Sequence, residues 1–356
     1  MEKKKICVLY PIGDCLHPIT GGQLYDSYLF NKIASFEKLQ ITYFTDAEVG
    51  HINKWLLPIC IWKHRLKIVD SYAVLLNSGW FAQALVLILL FRIFYPKLKI
   101  CIIHHHFRYQ EMSGMKKYVG YVLEKCCLGL STVIITPNLY TRSIIERIFP
   151  HKNIFFLGMS FKKEKHPCSC YETNRLLFVG TVYPRKGIAY LLKALGIMTI
   201  EERKGIQLDV VGNLVSADYY NDMQALVSKY GLENIVNFVG RVSDAELISY
   251  YSQAYCFVFP SLLEGYGMVL IEAMSYGLPV IAFDNSAIPY TVKTGKNGIL
   301  VENKNAEALK EAILCLCNNT DYHHKLCKGA LETYHNTRSL SDLDADIEKF
   351  VNIELI

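Results

Sequence analysis

No stretch of this sequence reaches the ~20 consecutive apolar residues that a membrane-spanning helix needs. The longest, residues 82–91, is interrupted by Gln83, so no transmembrane segment is expected. The opening Met1-Glu2-Lys3-Lys4-Lys5 and apolar 6–10 superficially mimic a signal peptide. The apolar part is too short, and Pro11-Ile12-Gly13-Asp14 follows it, so a first buried strand is the better reading. That strand also lacks a following Gly-x-Gly-x-x-Gly, which disfavours a nicotinamide dehydrogenase. The twelve cysteines contain no Cys-x-x-Cys: Cys126-Cys127, Cys168-Ser169-Cys170 and Cys315-Leu316-Cys317 all miss the spacing of a zinc knuckle or redox dithiol. With Cys7, Cys101 and Cys256 inside apolar runs, the expectation is buried thiols, a reducing compartment such as the cytoplasm, and no metal site. Helix-turn-helix, zinc-finger and basic-aromatic patterns are missing, which argues against nucleic acid as a partner. No solenoid-period repeat is visible.

What is present is apolar surface and an uneven charge. The 356 residues are 51% hydrophobic and 20% charged, enough for two domains with separate cores. The formal net charge of +5 conceals +11 over residues 1–170 (22 Lys and Arg, 11 Asp and Glu) and −6 over the remainder (16 against 22). A basic half of this kind suits an anionic membrane or a phosphorylated substrate.

Apolar runs at 6–10, 41–44, 72–76, 100–103, 132–136 and 154–157 alternate with helix-length segments such as 22–36, 81–94 and 114–130. This is the rhythm of a parallel sheet with crossover helices. A polar break at 162–174 precedes a second series at 175–179, 206–211, 236–239, 255–259, 280–283 and 298–301. The expectation is α/β architecture with two doubly wound domains in tandem, 1–165 and 172–335. Residues 339–356 read as an acidic amphipathic helix of the kind that packs back on a first domain.

In open parallel sheets, ligands collect beyond the carboxyl ends of the strands. After 175–179 comes Gly180-Thr181-Val182-Tyr183-Pro184-Arg185-Lys186-Gly187, with a helix from Ile188. Two cations before a helix start fit an anion such as a diphosphate; a solvated basic turn is the plain alternative. After 236–239, Ser243-Asp244-Ala245-Glu246 reads as a capping box. After 255–259, Glu264 and Glu272 flank Gly265-Tyr266-Gly267 and a helix from Met268. Glycines on either side of Tyr266 let backbone amides approach a phosphate. Glu272, one turn in, leans toward the mouth. A carboxylate beside a phosphate would repel it, so its sensible partner is a pair of hydroxyls such as those of a ribose; Glu264 suits a sugar hydroxyl. Helix-mouth acids favoured by the dipole are the alternative for both.

Phe259-Pro260-Ser261, Glu264-Gly265-Tyr266-Gly267, Glu272-Ala273-Met274 and Gly277-Leu278-Pro279-Val280 resemble the signature of the family 4 retaining glycosyltransferases, which have the GT-B fold of two Rossmann-like domains facing a central cleft. The likeness is specific over roughly residues 175–302. It implies that Glu272 binds the nucleotide ribose, Glu264 the transferred sugar, Arg185 and Lys186 the diphosphate and Val242 the base. Gly265, Tyr266, Gly267, Met268 and Val269 would line the donor pocket. Thr20-Gly21-Gly22-Gln23 looks like the family's glycine loop, placing Gly21 and Gly22 near the donor phosphate. The family often has an active-site histidine after the strand that here ends in His104-His105-His106, which implies His104 at the donor sugar, with His105 next. Where members carry Arg this chain has Thr181, and a frequent Gly-Gly-x-Pro-Glu run is replaced by Ser286-Ala287-Ile288-Pro289-Tyr290.

The implied reaction moves a sugar from a nucleotide-diphosphate donor to a hydroxyl with retention. Glu264, Lys186, Arg185 and His104 are the candidate catalytic residues, without a cofactor or a required metal. The acceptor would be a glycan or lipid-linked glycan in surface-glycan assembly, bound by a first domain in peripheral contact with the inner face of the plasma membrane. An epimerase or phosphorylase of the same architecture, or a catalytically silent sugar-nucleotide-binding protein, are the competing readings.

Overall fold

The computed structural model describes residues 3–10, 20–45, 53–164, 166 and 174–356. Most of the expected break at 162–174, and the loop beginning at Pro11, lie outside the described residues. All twelve expected strands form. β1 (Lys4–Tyr10), β2 (Leu39–Thr45), β3 (Ala73–Asn77), β4 (Lys99–Ile103), β5 (Val133–Thr136) and β6 (Asn153–Phe156) make one parallel sheet in the order β2-β1-β3-β4-β5-β6. β7 (Arg175–Val179), β8 (Gln207–Val211), β9 (Val236–Gly240), β10 (Cys256–Phe259), β11 (Val280–Phe283) and β12 (Gly298–Val301) make a second, β12-β11-β10-β7-β8-β9. The chain divides into two compact units, Met1–Phe161 with Arg338–Ile356, and Lys162–Thr337.

The inner strands of each sheet are buried on both faces, which is why they read as continuous apolar runs rather than as alternations, whereas the edge strands β2, β6, β9 and β12 are partly exposed. Ile6, Cys7, Val8, Leu9 and Tyr10 are all buried. Cys7 and Leu9 share a core with Leu57, Ile61, Leu87 and Phe91 of the helices Leu57–Lys63 and Phe81–Phe94. In the first unit, the helix Gly21–Ala34 meets the C-terminal helix Leu340–Phe350: Tyr28 Oη and Lys32 Nζ both donate to Asp344 at 2.8 Å. Lys99 Nζ bonds Glu354 at 2.9 Å, and Phe350 packs edge-on to Phe155.

Each sheet reverses direction once. From β1 the chain moves outward to β2 and returns on the other side as β3; from β7 it moves out through β8 and β9 and returns as β10. Loops leaving the carboxyl ends of the two strands at such a point diverge and leave a crevice. Two of the residue clusters described next sit at those points.

Candidate functional site

In the second unit, β7 and β10 are hydrogen-bonded neighbours, so the loops that follow them lie side by side. Pro184–Lys186 is a single 3-10 turn ended by Gly187 at φ +72°. A Cβ on Gly187 would sit 1.9 Å from the Pro260 carbonyl oxygen. Only glycine lets the two loops touch there. The contact is stitched by Leu262 N–H donating to Arg185 O at 2.8 Å and Arg185 Nη1 donating to Leu263 O at 2.5 Å.

This apposition brings Glu264 onto the cations. Its Oε1 accepts from Lys186 Nζ at 2.6 Å, Ser261 Oγ at 2.7 Å and Arg185 Nη1 at 3.3 Å. Glu264 is 7% exposed, where an unpaired charge would be untenable. Its backbone N–H donates to Ser286 Oγ at 2.8 Å, and Ser286 holds a left-handed φ of +47°.

The adjoining helix Met268–Ser275 starts from Gly267 at φ +82°, and no side chain caps it. Its first amides therefore keep their donors for a ligand. Gly265, Tyr266, Met268 and Val269 are half-buried around this mouth. Glu272 lies in the second turn and accepts from Tyr251 Oη at 3.3 Å. Burial raises its pKa, against the pull of the Tyr251 hydrogen bond. Tyr251 is itself buried and stacks on Tyr276. Val242 is half-buried after β9, one residue before the capping box that Ser243 and Glu246 form.

In the first unit, Gly21 and Gly22 open the helix Gly21–Ala34, whose Thr20 and Gln23 form a reciprocal capping box. The three histidines after β4 separate sharply. His104 N–H bonds Ile135 O at 2.8 Å, extending the sheet by one residue. Its ring turns into the core between Phe81 and Phe107, 1% exposed, with neither ring nitrogen partnered among the described residues. Burial, and then the neighbouring histidines, hold its pKa well below the ordinary value, so the ring is neutral. The histidine expected at the donor sugar is thus sealed in the core, because strand geometry continues one residue past Ile103.

His105 and His106 are both partly exposed. His105 Nε2 lies 2.8 Å from Asp26 Oδ1, and a Cβ on Gly22 would lie 3.9 Å from the His105 ring. Burial works against its charging, but the Asp26 charge and hydrogen bond outweigh that and raise its pKa. Asp26 is completely buried, taking Tyr10 Oη at 2.9 Å and Asn77 Nδ2 as further donors. His106 is 3.5 Å from Glu111.

Residues 161–333 match the family model for glycosyl transferases group 1. That match takes in most of the second unit. The O-antigen chain mannosyltransferase B of Escherichia coli is 28% identical over 52% of this chain and 52% of that protein. The chain spans about half the length of the first curated relatives it matches. Among solved structures, sucrose-phosphate synthase from Thermosynechococcus elongatus superposes with a TM-score of 0.80 over 99% of both chains at 19% identity. Anabaena Alr3699/HepE, solved in complex with UDP-glucose, gives 0.74 over 98% of this chain and 99% of that one at 15% identity. These likenesses establish the GT-B fold.

Within the second unit, the sequence motifs singled out Arg185, Lys186, Glu264 and Glu272, which the fold brings to adjoining loops and the helix beside them. They missed Tyr251, which lies outside the matching blocks, and the supporting part of Ser261 and Ser286. In the first unit they missed Asp26 altogether, although a signal was available: Asp26 falls on the same helical face as Leu29, Phe30 and Ile33, all buried. An acid on an apolar stripe needs partners.

Proposed function

We propose that this protein is a retaining glycosyltransferase that moves a sugar from a nucleotide-diphosphate donor to a hydroxyl on a glycan or lipid-linked glycan, in surface-polysaccharide or glycolipid assembly. One observation carries the reading: at the β7/β10 switch point, Arg185 and Lys186 share a cluster with Glu264, next to an uncapped helix mouth with Glu272 one turn behind it. The cations and amides would hold the diphosphate and Glu272 the ribose hydroxyls. Glu264 would take a hydroxyl of the sugar. In the reaction, the bond from the anomeric carbon to the diphosphate breaks as a bond to the acceptor oxygen forms on the same face, and the acceptor proton passes to the departing phosphate oxygen. Charge on the leaving group is met by Arg185, Lys186 and the helix dipole, so no metal is needed for neutralisation. HepE, solved with UDP-glucose, and the relative that builds O-antigen chains support the donor and the pathway class.

The test is release of nucleoside diphosphate that depends on added acceptor, with a new glycosidic bond in the product. Lys186→Ala should lower kcat by roughly 100-fold or more, the loss of one preorganised charged donor. An unimpaired Lys186→Ala enzyme would retire the diphosphate assignment, and diphosphate release without a new bond would favour a different enzyme of this architecture.

The first unit is proposed to bind the acceptor and to rest on an anionic bilayer. No helix among the described residues is long and apolar enough to cross a membrane. Yet the neighbouring helices Phe81–Phe94 and Gly114–Leu130 each leave an apolar stripe exposed: Val86, Leu89 and Ile93 on one, Met115, Tyr118, Val119 and Val122 on the other. Lys116 and Lys117 flank the second stripe, the composition of an interfacial surface. Binding to phosphatidylserine vesicles should weaken steeply with salt; no binding even at low salt would remove this part of the proposal.

A further inference from the structure

Nothing in the reaction outlined above uses Asp26, although it is the most completely enclosed carboxylate among the described residues of the first unit. Its helix places it under the β1/β3 switch point, where the last residue of β1, Tyr10, and the last of β3, Asn77, both donate to its Oδ2. Its other oxygen, Oδ1, is left for His105 Nε2. Two neutral donors therefore fix one edge of the carboxylate, and the second edge is aimed at a single ring nitrogen. The backbone of His105 is held as firmly: its carbonyl accepts from Asn138 Nδ2 at 2.6 Å and Thr141 Oγ1 at 2.9 Å. The Tyr25 ring packs edge-on to the imidazole at 5.6 Å, and Tyr25 Oη is tied to Leu157 O at 2.6 Å. Five segments remote in sequence thus converge to set the orientation of one partly exposed imidazole.

We propose that Asp26 is a positioning residue for the transfer reaction. It holds His105 as an imidazolium with Nε2–H committed to the carboxylate, so that Nδ1–H is the donor offered to substrate. This inference rests on the glycosyltransferase reading. A hydrogen bond to a charged group is stronger than one to a neutral group, and a carboxylate that orients an imidazole also fixes which nitrogen carries the proton. Among the described residues, the titratable groups facing His105 are Asp26 and Tyr25 from the first helix, Tyr10 behind Asp26, and His104 and His106 on its own loop. His104 is neutral, which leaves Asp26 as the charge that governs the ring.

The sign follows from the partnership. A histidine with raised pKa keeps its charge to higher pH, so removing Asp26 strips the cation first on the alkaline side. Asp26→Asn is expected to lower the His105 titration midpoint in the nuclear magnetic resonance spectrum of the full chain, assigned by loss of the signal in His105→Gln. It should also lower kcat more at pH 8 than at pH 6, because the cation is lost first on the alkaline side. Tyr10→Phe, which takes a competing donor from the carboxylate, should move the midpoint the other way. That variant keeps the idea testable if Asp26→Asn does not fold. Adding Asp26→Asn to His105→Gln should cost no further activity, since the pair acts as one unit. A purely structural Asp26 predicts lower thermal stability with an unchanged midpoint and pH profile, and that result overturns the inference. If the wild type transfers no sugar while the midpoints shift as described, the enzyme reading fails and the Asp26–His105 coupling stands.

Discussion

Each sheet buries one carboxylate at the point where its strand order reverses, and the two are held by opposite means. Asp26, at β1/β3, is completely buried and ringed by a phenol, an amide and an imidazole. Glu264, at β7/β10, is held by a lysine and an arginine whose side chains are 16% and 30% exposed. The phenol of Tyr10 and the amide of Asn77 are neutral donors fixed on this one carboxylate. Cations at the edge of a crevice can exchange one anion for another. The first arrangement is a fixed support for His105. In the second, under the function proposed above, Glu264 would stand where a diphosphate oxygen binds. Donor entry would then pass Lys186 and Arg185 to the diphosphate and turn Glu264 to the sugar, and after transfer the carboxylate would compete with the nucleoside diphosphate for the same cations.

The comparison breaks most visibly at Glu264. Glu264→Gln should reduce kcat by roughly 100-fold, as the sugar loses its charged acceptor. The same variant should bind nucleoside diphosphate about tenfold more tightly, or ~1.4 kcal/mol, because a negative charge is removed from beside the anion. Asp26→Asn should leave that affinity within about twofold. Isothermal titration with the nucleoside diphosphate reads both. Weaker binding by Glu264→Gln would mean that the carboxylate organises the cations rather than competing for them, and the contrast between the two sites would collapse.

The second site was largely legible in the sequence because its parts are local. Residues 259–283 run through strand, turn, helix and strand, and chain spacing alone fixes Glu272 one turn into the helix. The loop at 180–187 could be joined to it once β7 and β10 were read as strands of one parallel sheet. The first site was not legible, because its partners come from Tyr10, Asp26, Asn77 and His105, four segments whose meeting depends on strand order and rotamers. The three adjacent histidines show the limit most plainly. Strand periodicity identifies the end of β4, but whether the sheet continues for one more residue depends on a bond from His104 N–H to Ile135 O, and that single bond exchanges which ring is buried. The helix at 81–94 gives an intermediate case: its apolar run is a crossover helix with Phe81, Ala84, Leu87, Ile88 and Phe91 buried, and the other side of the same run is exposed.

A third carboxylate shows what the two switch-point acids would be without their partners. Glu124, on the helix Gly114–Leu130, is 5% exposed. Its Oε1 accepts from the Tyr109 backbone amide at 3.1 Å, and its Oε2 has no partner among the described residues. Burial pushes its pKa up from 4.5 to about 7, against the pull of the Tyr109 and Arg108 amides. Because the folded state holds this proton more tightly than the unfolded state does, stability contributed at Glu124 falls as pH rises from about 4.5 through about 7, then levels off. Glu124→Gln cannot ionise, so relative to the wild type it should be equally stable near pH 4.5 and more stable at pH 8, by ~3 kcal/mol at most. Urea denaturation at the two pH values measures the difference, in which the remaining titrating groups cancel. An advantage of the same size at both would show that the amide gains by packing rather than by the absence of charge. Glu124 would then be no reference for a buried acid without side-chain partners, and the rings around Asp26 and Glu264 would have to be weighed by substituting their donors one at a time.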